Sequence, residues 1–153
     1  MAVTLVRAQS SDAPVLTTIA FAAKRHWGYP ETWIQRWAAV LTVSVEYLAQ
    51  HACFVAVETG PPLGFASVRM DGNVGWVDHV WVRPEAMGQG IGRALFERCE
   101  AEARRVGGTR LMIEADPHAA EFYARMGARE IRREPAPMDG VERFLPIMEK
   151  ILA

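Results

Sequence analysis

Arg83-Pro-Glu-Ala-Met-Gly-Gln-Gly-Ile-Gly-Arg-Ala-Leu95, RPEAMGQGIGRAL, sets Gly88, Gly90 and Gly92 at alternate positions directly ahead of an amphipathic run. Downstream, Ile91, Leu95, Cys99, Ala103 and Val106 recur at helical spacing, with Arg93, Glu97, Glu100 and Arg104 on the other side. A helix from about Gly90 to Val106 is therefore predicted to bury the first stripe and solvate the second. Gly107-Gly108 closes it. Upstream, VGWVDHVWV is apolar on both faces apart from Asp78 and His79, the pattern of an interior strand. The glycines thus stand where a buried strand hands over to a helix N-terminus. Unsatisfied N–H groups and the helix dipole make an anion the natural guest there.

Working outward, Val3 to Arg7 reads as a strand, and Ser10, Ser11 and Asp12 offer caps to the helix DAPVLTTIAFAAKRHW. Gly28 and Pro30 interrupt it; ETWIQRWAAVL and, after Ser44, VEYLAQ read as two further helices. The strands ACFVAVET, LGFASVRM and VGWVDHVWV, joined by turn clusters at Gly60-Pro61-Pro62 and Asp71-Gly72-Asn73, form an antiparallel meander. Beyond the glycine helix, TRLMIEA completes a strand, helix, strand unit. Asp116 caps a last helix, PHAAEFYARM, which Gly127 ends. AREIRRE and VERFLPIMEKIL are closing strands around a turn at Pro137, Asp139 and Gly140. The class is α/β, with a mixed, mostly antiparallel sheet flanked by helices.

The 153 residues, half of them apolar, suit one domain over 1–153 with a sizeable core. A formal charge of -1 argues against the basic surface that neutralises nucleic-acid phosphates, so no nucleic acid is expected as a partner. The start, MAVTLVRAQSSDAPVL, lacks the pattern of a secretory leader, and no stretch is apolar for long enough to span a bilayer. A soluble, cytoplasmic protein with no membrane partner is the expectation. Cys53 and Cys99 fit neither a redox pair nor a zinc spacing, so buried free thiols and no metal are expected.

Spacing narrows the anion. A Walker loop needs Gly-Lys-Ser/Thr, and no lysine follows here. The dinucleotide fingerprint G-x-G-x-x-G fails too, since the sixth position falls on Arg93 from Gly88 and on Leu95 from Gly90. What remains resembles the acyl-coenzyme A loop of the GCN5-related N-acetyltransferase (GNAT) family, Arg/Gln-x-x-Gly-x-Gly/Ala, on Met87-x-x-Gly90-x-Gly92. Met87 departs from that pattern. DPHAAEFYARMG resembles the second family signature, with Asp116 at its Asn position and Ala119, Phe122, Tyr123 and Gly127 in place. The segments VDHVWVRPEAMGQGIG, RHWGYPETW and ERFLPIME resemble small bacterial members. Close packing of helix on sheet remains another explanation for Gly90 and Gly92.

The resemblance implies a GNAT-like fold and acetyl-CoA as cosubstrate. N–H groups of Gly88, Gln89, Gly90, Ile91, Gly92 and Arg93 would hold its pyrophosphate, and main-chain groups of Val80, Trp81 and Val82 its pantetheine arm. Asp116, Ala119, Phe122 and Tyr123 would border the same ligand. Met87 cannot make the charge-assisted bond of the family's Arg or Gln, worth about 1.5–3 kcal/mol, so binding is expected to be weaker than with a basic residue. Tyr123 takes the role of acid toward the leaving thiolate. Strand alternation puts Asp78 on the face of Val80 and Val82, as a candidate base, and turns His79 away. His26, Trp27 and Tyr29, at the Gly-Pro break, are candidates for the acceptor pocket, while Trp33 and Trp37 are expected to pack inward. His118 is a weaker candidate beside the coenzyme, and His51 reads as surface. The implied reaction moves an acetyl group to a primary amine of a small molecule by direct attack in a ternary complex, without metal or covalent enzyme intermediate. A non-catalytic acyl-CoA sensor and a peptide or protein N-acetyltransferase are the alternatives. Dimers are common among such small enzymes, so a homodimer is an expectation that no single residue carries.

Overall fold

The computed structural model describes residues 2–152. Seven strands form one sheet: β1 (Thr4–Arg7), β2 (Ala52–Val57), β3 (Gly64–Asp71), β4 (Val74–Val82), β5 (Arg110–Glu114), β6 (Arg129–Pro135) and β7 (Phe144–Ile151). Their spatial order is β1-β2-β3-β4-β5-β7-β6, antiparallel at every step except β4 to β5. That parallel step is the crossover made by α5 (Ile91–Arg105), in keeping with the need of parallel neighbours for a helical connection. The other helices are α1 (Ala13–His26), α2 (Glu31–Arg36), α3 (Ala38–Leu41), α4 (Val45–Gln50) and α6 (Ala120–Arg125). Among the described residues no helix is long and apolar enough to cross a membrane.

Each sheet face has its own core. On one, Ile91, Leu95, Phe96, Cys99 and Ala103 of α5 pack on Phe54, Ala66, Val68, Val77 and Leu111. On the other, Leu16, Ile19 and Ala20 of α1, with Ile34 and Leu41, cover Cys53, Val55 and Phe65. Burial of such side chains contributes about 1.5–3 kcal/mol each, so these two layers fix where α1 and α5 lie.

Two features of β4 shape the site. Its parallel ladder with β5 covers only Val74↔Arg110, Gly75↔Leu111 and Trp76↔Met112, so the two strands part beyond Trp76. Its ladder with β3 slips at Ser67/Val68: Ser67 faces His79 and Val68 faces Val77, which leaves Asp78 as the extra residue of a bulge.

Three local expectations are corrected. ETWIQRWAAVL is two short helices, α2 and α3, with Trp37 at φ -87°, ψ 5° between them. The buried side of α5 is broader than one stripe: Glu100 is buried, bonded by Lys150 Nζ at 2.8 Å and Arg104 at 2.7 Å, while Val106 is 45% exposed past the helix end. Helical periodicity has no access to Lys150, fifty residues away on β7. The last helix is preceded by a 3-10 turn, Pro117–Ala119, and α6 itself starts at Ala120.

Candidate active site at the parting of two strands

Gly88 and Gly90 adopt φ of +81° and +82°, a region an L side chain enters at a cost of about 1–2 kcal/mol, so glycine is required by conformation there. Gly92 differs: a Cβ there would sit 3.3 Å from the Phe122 ring, so its bareness serves packing. The first backbone bond into α5 is Ala94 N–H to Gly90 O at 3.1 Å. The N–H groups from Gly88 to Arg93 precede it, at the positive end of a 15-residue helix whose N-cap Gly90 has no side chain to satisfy them.

These amides border a cleft of about 550 Å³. Of the residues assigned to the coenzyme, Val80, Trp81, Val82, Met87, Gly88, Gly90, Ile91, Gly92, Arg93, Asp116, Ala119, Phe122 and Tyr123 line it, and Gln89 does not. Arg83 N–H donates to Leu63 O at 2.8 Å, which by antiparallel alternation turns the main-chain groups of His79 and Trp81 to β3 and those of Val80 and Val82 to the open side. Met87 brings no charge, but Arg93 and Arg125 do, each meeting a carboxylate only at 3.8 Å, Glu97 and Glu121 respectively. Arg125 escaped the sequence reading because the second signature leaves its position free. This surface has the attributes of a diphosphate cradle: unpaired amides, a helix N-terminus and two exposed guanidinium groups.

Tyr123 stands on the cleft wall between the rings of Phe122 and Phe96, at 5.1 and 5.8 Å. Burial, with smaller contributions from Cys99 and Asp116, pushes its hydroxyl above the usual tyrosine range, so it stays protonated. Among the described residues that hydroxyl has no hydrogen-bond partner. It is therefore free to donate into the cleft.

The bulge overturns the expected facing of Asp78, while His79 faces away from Val80 and Val82 as expected. Both lie on the α4 side, the side opposite Val80 and Val82. The Asp78 carboxylate accepts from Tyr47 Oη at 2.7 Å and from Arg69 Nε and Nη2 at 3.0 and 3.3 Å. His79 is buried, accepts Trp81 Nε1–H on Nδ1 at 3.0 Å, and is pulled by burial down to about 4, so it is a neutral ring that fixes Trp81.

A second cleft of about 750 Å³ opens on that side, under α3 and the β6–β7 hairpin. It shares Val77, Asp78, Trp81, Glu114 and Asp116 with the first, so the two halves meet where β4 leaves β5. Glu114, at the end of β5, makes no ion pair among the described residues and was not singled out from sequence. Only the parting of the strands exposes it to both halves. Asp116 caps the turn before α6 through His118 N–H at 2.8 Å and binds Lys24 Nζ and Tyr29 Oη. Its burial raises its affinity for a proton, but Lys24 and these bonds outweigh that and hold it below the ordinary value.

The aromatic candidates separate. Trp27 lines the glycine-loop half, stacked on His118 at 5.0 Å; His26 touches Trp27 edge-on and lines neither half; Tyr29 secures Asp116. Trp37, half-buried, packs against the α1-side core as expected and also lines the second half, whereas Trp33 belongs to neither core and bonds Asp139 through Nε1 at 2.8 Å. Trp33 thereby ties α2 to the β6–β7 hairpin beside that half. Cys53 and Cys99 border neither half, and burial pushes Cys53 up to about 12 and Cys99 further still, so neither is a ready nucleophile.

The family model "Acetyltransferase (GNAT) family" matches residues 17–128. An "IAA acetyltransferase" of Azospirillum brasilense is 34% identical over 103 residues, 64% of this chain and 66% of that one, so the chain spans a little under two thirds of that relative's length. A GCN5-related N-acetyltransferase of Rhodopseudomonas palustris superposes with a TM-score of 0.81 at 26% identity, covering 99% of this chain and 97% of that one. The PaiA N-acetyltransferase of Thermoplasma acidophilum, solved with coenzyme A, has the same fold at a TM-score of 0.77 and 19% identity, covering 99% and 100%. A model match over most of the chain, on a sheet that parts behind a glycine loop, makes this chain a member of the GNAT acetyltransferase family.

Proposed function

We propose that the protein is an acetyl-CoA-dependent N-acetyltransferase that acetylates a primary amine of a small molecule in a ternary complex. The observation that carries this is the meeting of two cleft halves at the parting of β4 and β5, with the glycine loop and Tyr123 on one side and an acceptor-sized hollow on the other. Acetyl-CoA lies with its diphosphate on the Gly88–Arg93 amides, helped by Arg93 and Arg125, and its pantetheine arm along Val80 and Val82 by strand addition. The amine nitrogen attacks the thioester carbon, a C–N bond forms, and the C–S bond breaks. Tyr123 donates its proton to the departing sulfur.

The proton lost by the amine goes to Glu114, directly or through water, because Glu114 is the carboxylate at the junction that no cation neutralises. Asp78, engaged by Arg69 and Tyr47, is a positioning residue for the bulge. The roof of the second half, pinned where Asp139 of the hairpin meets Trp33 and Arg36 of α2, suits a small acceptor better than a polypeptide.

A thiol-release screen of amines, amino acids and N-terminal peptides with acetyl-CoA tests this reading. Release of CoA with one class of free small amine is the expected result. Acetyl-CoA binding by calorimetry with no release for any amine would make the protein a sensor. Release with peptides alone would move it to protein N-terminal acetylation.

A further inference from the structure

Resting on the acetyltransferase reading above, we infer that the acceptor amine also carries an anionic group, such as a carboxylate, on an apolar body, and that Arg143 recognises that group. Three cationic side chains face the acceptor-side cleft: Lys24, Arg69 and Arg143. Two are neutralised inside the protein, Lys24 by Asp116 and Arg69 by Asp78. Arg143 meets no carboxylate among the described residues. The nearby carboxylate of Asp139 is occupied by Arg36 and by Trp33 Nε1.

Arg143 is also held in place. Its guanidinium lies over the rings of Tyr29, Trp33 and Trp37 at 5.4, 5.7 and 5.0 Å, and Nη1 donates to Ala136 O at 3.2 Å. A guanidinium has five N–H donors in a fixed fork, so the bond to Ala136 O and an interaction with the Tyr29 hydroxyl leave enough of them to grip a carboxylate in bidentate fashion. Stacking on three rings fixes that fork before any ligand arrives, which lowers the ordering cost of binding. The same hollow carries a broad apolar surface, with Trp37, Leu41, Trp76, Trp81 and Met138 on its walls. Among the described residues Glu114 supplies the one carboxylate of the same cleft without an ion pair, since Asp78 and Asp116 are paired. Among the described residues, one free cation, one free carboxylate and an apolar wall match a molecule with an ammonium group, an anionic group and an apolar side chain, the arrangement of an apolar amino acid.

The test compares matched pairs with and without the carboxylate: L-phenylalanine against 2-phenylethylamine, and L-leucine against 3-methylbutylamine, by thiol release with acetyl-CoA. The acid-bearing member is expected to show a kcat/KM at least about ten-fold higher, the size of a charge-assisted bond. Arg143→Gln is expected to bring that ratio close to one, and Arg143→Lys to an intermediate value. Independently of turnover, tryptophan fluorescence is titrated with 3-phenylpropanoate and 3-phenylpropanamide on the protein loaded with CoA. Tighter binding of the acid supports the anion site, and if it comes with no turnover of any amine, the acetyltransferase reading fails while the anion site stands. Equal or weaker binding of the acid overturns the inference, as does equal or faster turnover of the decarboxylated amine. The wild-type comparisons decide this even if the Arg143 variants fail to fold.

Discussion

Tyr123 meets two requirements of an acid in the proposed reaction: burial keeps its hydroxyl protonated, and among the described residues that hydroxyl has no partner to give up. Tyr123→Phe is expected to lower turnover by about a hundred-fold while leaving acetyl-CoA affinity within about two-fold, read by steady-state kinetics beside calorimetry. An unchanged kcat would remove it from the chemistry. Glu114→Gln should cost a similar factor, with Asp78→Asn costing less than about a tenth of that, because Asp78 is tied to Tyr47 and Arg69. The reverse ranking would return the base to Asp78. The place of Tyr123 on the cleft wall was legible because its motif is local and its spacing rigid. Asp78 was placed on the wrong face because alternation assumes one residue per step, and a bulge inserts a second. Glu114 was invisible for a different reason: a glutamate closing a strand looks like solvent-facing punctuation until the neighbouring strand departs.

At the scale of elements, the loop before α5 separates two uses of glycine. Gly90→Ala must hold an alanine at φ +82°, at about 1–2 kcal/mol, and should lower the unfolding temperature and weaken acetyl-CoA binding together. Gly92→Ala gains up to about 1 kcal/mol of helix propensity, which offsets the shift forced on the Phe122 ring 3.3 Å away. Its unfolding temperature should therefore change less. Thermal melts of the two variants check this, and equal losses would mean that Gly90 is not bare for conformational reasons. The meander, the α5 crossover and the paired closing strands were legible because each follows from a local period or turn. The division of ETWIQRWAAVL was not. Trp33 and Trp37 turn toward Tyr29 and Arg143, and Trp37 also toward Lys24; of these, Lys24 and Arg143 lie outside the helical window. Glu100 was read as solvated for the same reason, its Lys150 partner lying on the far strand.

For the whole molecule, the buried neutral His79 makes stability depend on pH. Its proton affinity falls from the ordinary 6.5 to about 4 in the fold, so between those values the unfolded chain takes up a proton that the native state refuses. Stability is complete above pH 6.5 and falls as pH drops toward 4, by up to about 3 kcal/mol from this group. Urea unfolding at pH 7.5 and pH 4.5 should show wild type losing more than His79→Gln, and equal losses would refute the burial argument. The mixed sheet with helices on both faces was legible from element order; the parting of β4 from β5 was not, since no local pattern encodes where a parallel ladder stops. That parting has a kinetic consequence. One half of the cleft is bordered by the glycine loop and α6, the other by α3 and the β6–β7 hairpin. A molecule seated in either leaves the other approach clear, so entry follows no compulsory order. Initial-rate lines should intersect, and free CoA should compete with acetyl-CoA while remaining noncompetitive toward the amine.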